Sequence, residues 1–208
     1  MSVPALAPEA LDRRHAYVGW PPADTFPRGS VVTIGVFDGF HRGHEALVRQ
    51  TVGHARRLGL PAVLLTFSPH PLAVLAPGAA PRQLMSIDDR VSHALSLGID
   101  AVVVLPFTVS LAAQSVADFV SSGLVGALGV RQLVLGDNFR CGRGGEGDVA
   151  RLVGLGRTHG FRVEAVDLVE AAGQRCSSTE VRRCLARGDV ATARQLLGRD
   201  DPRVLVLG

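Results

Sequence analysis

Residues 31–44 read VVTIGVFDGFHRGH. Val31, Val32, Thr33 and Ile34 are all β-branched, a composition that suits a buried strand. Asp38-Gly39 breaks the run, and His41-Arg42-Gly43-His44 follows at once. Ala46, Leu47, Ala55 and Leu58 then recur as the apolar stripe of a helix. The stretch therefore predicts a strand over 31–37, a tight turn, and a helix over 44–58. In an open α/β sheet, the place just past the C-terminal end of a strand is where ligands bind.

Outward from this unit the pattern repeats. Residues 62–66 (AVLLT) predict a second strand, running into the irregular Phe67-Ser68-Pro69-His70-Pro71 turn. Residues 101–105 (AVVVL) read as a buried parallel strand, and 132–135 and 161–166 as two more. Helices are expected at 86–97, 115–127, 148–159, 177–187 and 189–197. Three of them open with capping-box spacing, Ser86/Asp89, Ser115/Asp118 and Ser177/Glu180. Residues 140–148 are glycine-rich and read as a mobile loop, and 171–174 (AAGQ) as a hairpin turn. Alternating strands and helices mean a Rossmann-like α/β fold, an open parallel sheet with helices on both faces. The domain is expected over 30–199. Residues 1–29 form a weakly patterned leader with a short packed piece near Ala16-Tyr17-Val18. Residues 200–208 form a short tail whose VLVL suits an edge strand.

Composition narrows the function. Charged residues are 20% and hydrophobic residues 47% of the 208, an ordinary globular balance. No apolar run reaches membrane-spanning length, and the start lacks a signal-peptide pattern, so a cytoplasmic protein without a membrane partner is expected. All 22 Lys+Arg positions are arginine, so a Schiff-base lysine and a P-loop lysine are both excluded. Phosphate must be held by Arg, His or backbone N–H groups. Aromatic residues at 5% give no stacking platform, and a net charge of +3 with dispersed arginines does not argue for nucleic acid. Cys141, Cys176 and Cys184 have no C-x-x-C spacing and predict free thiols.

His41 and His44, three residues apart at a helix start, can face one ligand. Gly43 allows close approach, and the free N–H groups there favour an anion. A phosphate site is the favoured reading. The alternative is that one histidine caps the helix and the other lies on the surface; a zinc site lacks a third ligand.

GVFDGFHRGH resembles the HxGH signature of the nucleotidyltransferase superfamily. Arg175-Cys176-Ser177-Ser178-Thr179-Glu180-Val181-Arg182 is similar to the RISSTxxR of the FMN adenylyltransferase (FAD synthetase) family. Gly188 to Arg199 resembles that family's ending, Thr66 to Pro71 its TFxPHP, and Gly136-Asp137-Asn138-Phe139 its GxNFxFG segment. The resemblance covers roughly residues 16–199. It implies transfer of AMP from ATP to the phosphate of FMN, giving FAD and pyrophosphate, with Mg2+. It implies His41, His44 and Arg182 as catalytic residues. It places Gly35, Phe37, Asp38, Gly43, Arg175, Ser177, Ser178 and Thr179 at the nucleotide. Pro69, His70, Leu75, Phe119, Asn138, Phe139 and Cys141 fall at the acceptor, with Asn138 also a metal ligand.

Departures matter. The riboflavin kinase domain usual in bacterial members is not expected in this chain, and the LGRxY continuation is replaced by Leu197-Gly198-Arg199-Asp200-Asp201. Cys141 and Leu75 stand where relatives carry aromatics, which weakens a flavin site by roughly 0.5–1.5 kcal/mol per lost stacking pair. The same chemistry on a modified flavin or another phosphomonoester is a second reading, and a non-catalytic nucleotide- or flavin-binding regulator a third. ATP against CTP stays open.

Overall fold

Six parallel strands form one sheet in the computed structural model, which describes residues 15–167 and 169–205. In chain order they are β1 (Ala16–Val18), β2 (Ser30–Ile34), β3 (Ala62–Ser68), β4 (Ala101–Pro106), β5 (Val130–Gly136) and β6 (Arg162–Val166). Their spatial order is β1-β4-β3-β2-β5-β6. From β2 the chain first builds outward through β3 and β4, then returns to β5 on the other side. The direction of winding reverses between β2 and β5, which makes their C-terminal ends the crevice of the fold.

Consecutive strand residues point to opposite faces, and both faces are buried. Val31, Leu64, Val102, Val104 and Val134 pack with α1 (Arg42–Leu58), α3 (Ile87–Ser96), α7 (Ser178–Ala186) and α8 (Val190–Leu197). Val32, Ile34, Val63, Val103 and Leu133 pack with α5 (Val116–Asp118), its continuation Phe119–Ala127, and α6 (Val149–His159). Short helices α2 (Pro71–Leu75) and α4 (Val109–Ala112) follow β3 and β4. Helices thus cover both faces, as the sequence predicts. The three serine caps form too. Ser86, Ser115 and Ser177 each accept the N–H three residues on, at 3.1, 3.1 and 3.2 Å. The hairpin turn at Ala172-Gly173 joins β7 (Glu170–Ala171) to β8 (Gln174–Arg175).

Several expectations are corrected. β2 stops at Ile34, and Phe37 and Phe40 then take φ of +53° and +44°. The expected helix over 115–127 is α only to Asp118. Beyond it the chain is wound as a π-helix, with an i+5 bond of 3.1 Å from Leu128 N–H to the Gly123 carbonyl. The glycine-rich loop is tied down. Cys141 and Gly147 exchange backbone bonds of 3.0 and 2.9 Å, and Glu146 accepts Val116 N–H at 2.8 Å. A Cβ on Gly147 would sit 2.4 Å from Val116, so glycine serves close packing there.

The tail is not a strand where it is described. Pro202–Leu205 is a helical turn, α9, and Val204 and Leu205 are buried in the core. Proline at the first helical position favours this over an edge strand. Much of the leader, residues 1–14, and the last residues of VLVL lie outside the described residues. Ala16–Val18 forms an edge strand, parallel to β4, and Tyr17, Trp20 and Phe26 pack on the core. Among the described residues no helix is long and apolar enough to cross a membrane.

Candidate active site

His41 is the N-cap of α1, and its Nδ1 accepts the His44 N–H at 3.4 Å. An accepting Nδ1 fixes the neutral tautomer with its proton on Nε2, a donor. The His41 and His44 rings stack, with centroids 3.7 Å apart. A Cβ on Gly43 would lie 3.1 Å from the His41 ring, so the glycine leaves room for that imidazole. Capping and ligand binding are therefore compatible roles for His41, using different nitrogens. The Nδ1 of His44 is buried without a protein partner.

Burial first, and then the charges of Arg199 and Arg182, lower the His41 pKa to about 4. Burial also holds His44 well below its usual value, aided by His41, Arg90 and Arg199. Both rings are neutral hydrogen-bonding groups at pH 7. An unfolded chain protonates His41 near 6.5 and the folded chain near 4, so between these values the unfolded state binds more protons. This part of the stability is intact above about pH 6.5 and is lost as pH falls toward 4, about 3 kcal/mol in all. Urea unfolding across that window is expected to show a steeper acid loss in the wild type than in His41→Asn. Parallel curves would contradict the assignment.

Beneath the turn lies a charged cluster. Asp38 is 1% exposed, and its carboxylate accepts the Leu84 N–H at 3.0 Å and the Met85 N–H at 2.9 Å. Arg182 donates to its other oxygen and also to the Arg82 carbonyl, the latter at 2.7 Å. Arg90, 2% exposed, lies 3.9 Å from Asp38 and donates to the Val36 carbonyl at 3.1 Å. Ser178 Oγ donates to the Asp38 carbonyl at 2.7 Å.

Two cavities open at the crevice. The smaller, about 410 Å³, is lined by His41, Gly43, Arg175, Ser177, Thr179 and Asp167, among others. The larger, about 650 Å³, has an aromatic and apolar wall of Phe67, Phe107, Phe119, Phe139, Leu75 and Leu111. Four residues line both: Gly35 after β2, His44 at the start of α1, and Asn138 and Phe139 after β5. The strands flanking the reversal thus present one shared wall to two differently built spaces, one carrying the histidines, Arg175, Ser177 and Thr179 and the other walled by aromatic rings.

Most of the residues singled out in the sequence fall on these walls; others do not. Phe37 is fully buried and stacks on Phe40 at 5.4 Å, so it belongs to the core. Asp38, Ser178 and Arg182 are engaged with one another as described and line neither cavity. Pro69 and His70 line neither as well; His70 caps α2 by accepting the Leu72 N–H at 3.1 Å, and Pro71 faces the larger cavity instead. Cys141 is on the wall, but burial pushes its thiol up to about 12, which removes it as a thiolate nucleophile. Phe107 and Leu111 were missed by the sequence reading; their position just past β4 is the signal that finds them.

Among the described residues, no group of three His, Cys, Asp or Glu could hold a metal ion. The smaller cavity does offer the oxygens of Asn138 and Asp167. Such a sparse oxygen set suits Mg2+ carried in on a phosphate chain rather than a protein-only cage.

A family model described as FAD synthetase matches residues 23–180. A bifunctional riboflavin kinase/FMN adenylyltransferase from Pseudomonas fluorescens is 42% identical over 172 residues, covering 83% of this chain and 55% of that protein. The Escherichia coli K12 protein of the same description is 38% identical over 82% of this chain and 54% of its own. The chain therefore spans about half the length of these curated relatives. A putative bifunctional riboflavin kinase/FMN adenylyltransferase from Geobacillus thermodenitrificans is 39% identical, covering 82% of this chain and 90% of that protein. A crystal structure described as a macrolide-efflux protein from Streptococcus pneumoniae shares the fold. It has a TM-score of 0.74 at 25% identity and covers 88% of this chain and 61% of that one.

Proposed function

This chain belongs to the FAD synthetase family, and on that premise we propose that it transfers the adenylyl group of ATP to the phosphate of FMN. The observation that carries the reading is the wall shared by the cavity that holds the histidines and Arg175 and the cavity walled by aromatic rings. A triphosphate in the first and a flavin in the second bring the α-phosphorus and the acceptor phosphate together at His44 and Asn138.

The step is a direct displacement. A phosphate oxygen of FMN forms the new bond to the α-phosphorus as the bond to the bridging oxygen breaks. Pyrophosphate leaves with the electron pair. The acceptor oxygen is already anionic at neutral pH, so no general base is needed. Catalysis is alignment and charge stabilisation. The Nε2–H of His41 and the ring of His44 donate to the α- and β-phosphates. Arg175 neutralises the leaving pyrophosphate, and Ser177, Thr179 and the free N–H groups at the start of α7 receive its oxygens. Arg182 and Asp38 support the turn from behind. Mg2+ held by the phosphates, with Asn138 and Asp167 as oxygen donors, would add electrostatic screening of the charge that builds on them. The flavin ring is held by Phe67, Phe107, Phe119 and Phe139.

A second reading keeps this chemistry and changes the acceptor. Leu75 is 58% exposed and, with Cys141, replaces an aromatic wall expected from the resemblance. Pyrophosphate release with FMN, a bulkier ring-substituted FMN and non-flavin phosphomonoesters, each paired with ATP or CTP, separates the two. FMN with ATP is expected to be the best pair. A preference for another acceptor would favour the second reading, and FMN binding without turnover would point to a non-catalytic binding protein.

A further inference from the structure

Resting on that adenylyltransferase reading, we propose that Arg199, oriented by Asp201, is a positioning residue of the same active site. It holds the Gly39-Phe40 backbone and, through it, His41. The guanidinium of Arg199 donates to the Phe40 carbonyl at 2.5 Å and the Gly39 carbonyl at 2.9 Å. Asp201 accepts from the same guanidinium at 3.2 and 3.1 Å. Asp201 is only 3% exposed and is itself held by Arg203 Nε at 3.0 Å, and Arg203 in turn reaches Asp89 of α3. The clamp thus runs from the helix after the 83–85 segment, through the chain's end, to the histidine turn.

The turn needs holding. Phe40 has a φ of +44° and no exposure, an unfavourable backbone for a bulky residue that its surroundings must impose. The residue after it is His41. A planar fork that meets two successive carbonyls fixes both peptide planes, which a lysine ammonium does not do. Arg199 closes the 188–199 stretch that resembles the family's ending, and its hold on the histidine turn is a contact that only the fold brings about. Asp201 stands two residues after the arginine it orients, in the stretch Leu197-Gly198-Arg199-Asp200-Asp201. Arg199 also acts on His41 electrostatically, as the largest influence after burial in lowering its pKa to about 4. The other charged groups there are Arg182, Glu45 of the first turn of α1 at 4.0 Å from Arg199, and, at the neighbouring ring, Arg90.

The test compares Arg199→Ala, Arg199→Lys, Asp201→Asn and a control, Val204→Ala, which creates a cavity in the core beside the clamp while leaving its charged groups in place. FAD formation gives kcat and KM, denaturant unfolding gives stability, and NMR of labelled histidine in the ligand-free protein reads the His41 ring. Arg199→Ala and Arg199→Lys are each expected to lose about 10²-fold in kcat, as for a small misplacement of a catalytic group, with KM for FMN little changed. Asp201→Asn is expected to lose less. Val204→Ala is expected to lose stability and keep its kcat. The His41 resonance is expected to shift in Arg199→Lys and Asp201→Asn, and to titrate at higher pH in Arg199→Ala. An active wild type with undiminished kcat in folded Arg199→Lys and Asp201→Asn would overturn the inference. So would an equal kcat loss in Val204→Ala. If the wild type forms no FAD, the adenylyltransferase reading fails separately. The NMR signals then decide the clamp, and unmoved His41 resonances in all three variants overturn it.

Discussion

His44→Ala is expected to lower kcat for FAD formation by about 10²–10³, the effect of removing one pre-placed donor from a charge-stabilising site. KM for ATP is expected to change far less, because the imidazole acts where charge develops rather than where the nucleotide is gripped. His41 allows a sharper experiment. It both caps α1 and lines the phosphate cavity. His41→Ala removes both functions and is expected to lose about 1 kcal/mol of stability along with turnover. His41→Asn keeps a good capping oxygen but removes the donor nitrogen, so it is expected to fold normally and turn over slowly. Steady-state kinetics beside urea unfolding separates the two roles. Near-wild-type kcat in His44→Ala and His41→Asn would refute the placing of the histidines at the transition state.

Asp38→Ala is expected to cost the fold about 3–5 kcal/mol, the range for breaking a buried ion pair by removing one partner. The variant leaves Arg90 buried and uncompensated, strips the Leu84 and Met85 N–H groups of their acceptor, and frees Arg182. Against a typical domain stability of about 5–15 kcal/mol, much of the margin disappears. Asp38→Asn keeps the shape and one acceptor oxygen and is expected to lose less. The urea midpoint is the measurement. A loss within about 0.5 kcal/mol, as for a surface substitution, would contradict the role given to Asp38.

Asp38 also marks where the sequence stops being legible. Asp before Gly reads as a turn residue, which it is, yet its carboxylate partners lie 46 and more residues away. Local pattern carries no trace of them. Arg182 is a second case, since its pairing with Asp38, 144 residues earlier, leaves no local trace. One turn after Ser178 it sits where a phosphate ligand belongs, but the neighbouring buried carboxylate takes its guanidinium. Arg90 was invisible because a charge in an amphipathic helix is normally solvated, whereas this one is enclosed. What periodicity and capping control was readable: the strands that flank the reversal, the three serine caps, the hairpin at Ala172-Gly173, and the histidine turn at a strand's end. Helix endings and the tail were less so. The π-wound stretch after Asp118 packs its Phe119 against Trp20, about a hundred residues earlier, and the helical turn at Pro202 buries Val204 in the core, contacts that local periodicity does not carry.

On the proposed function, an adenylyl group crosses the wall shared by the two cavities. Incubating the purified chain with FMN, Mg2+ and ATP labelled at either the α- or the γ-phosphorus follows that transfer atom by atom. The α-label is expected to appear in FAD and the γ-label in pyrophosphate, in equal amounts. The γ-label on the acceptor, or the α-label ending only as free AMP, would contradict it.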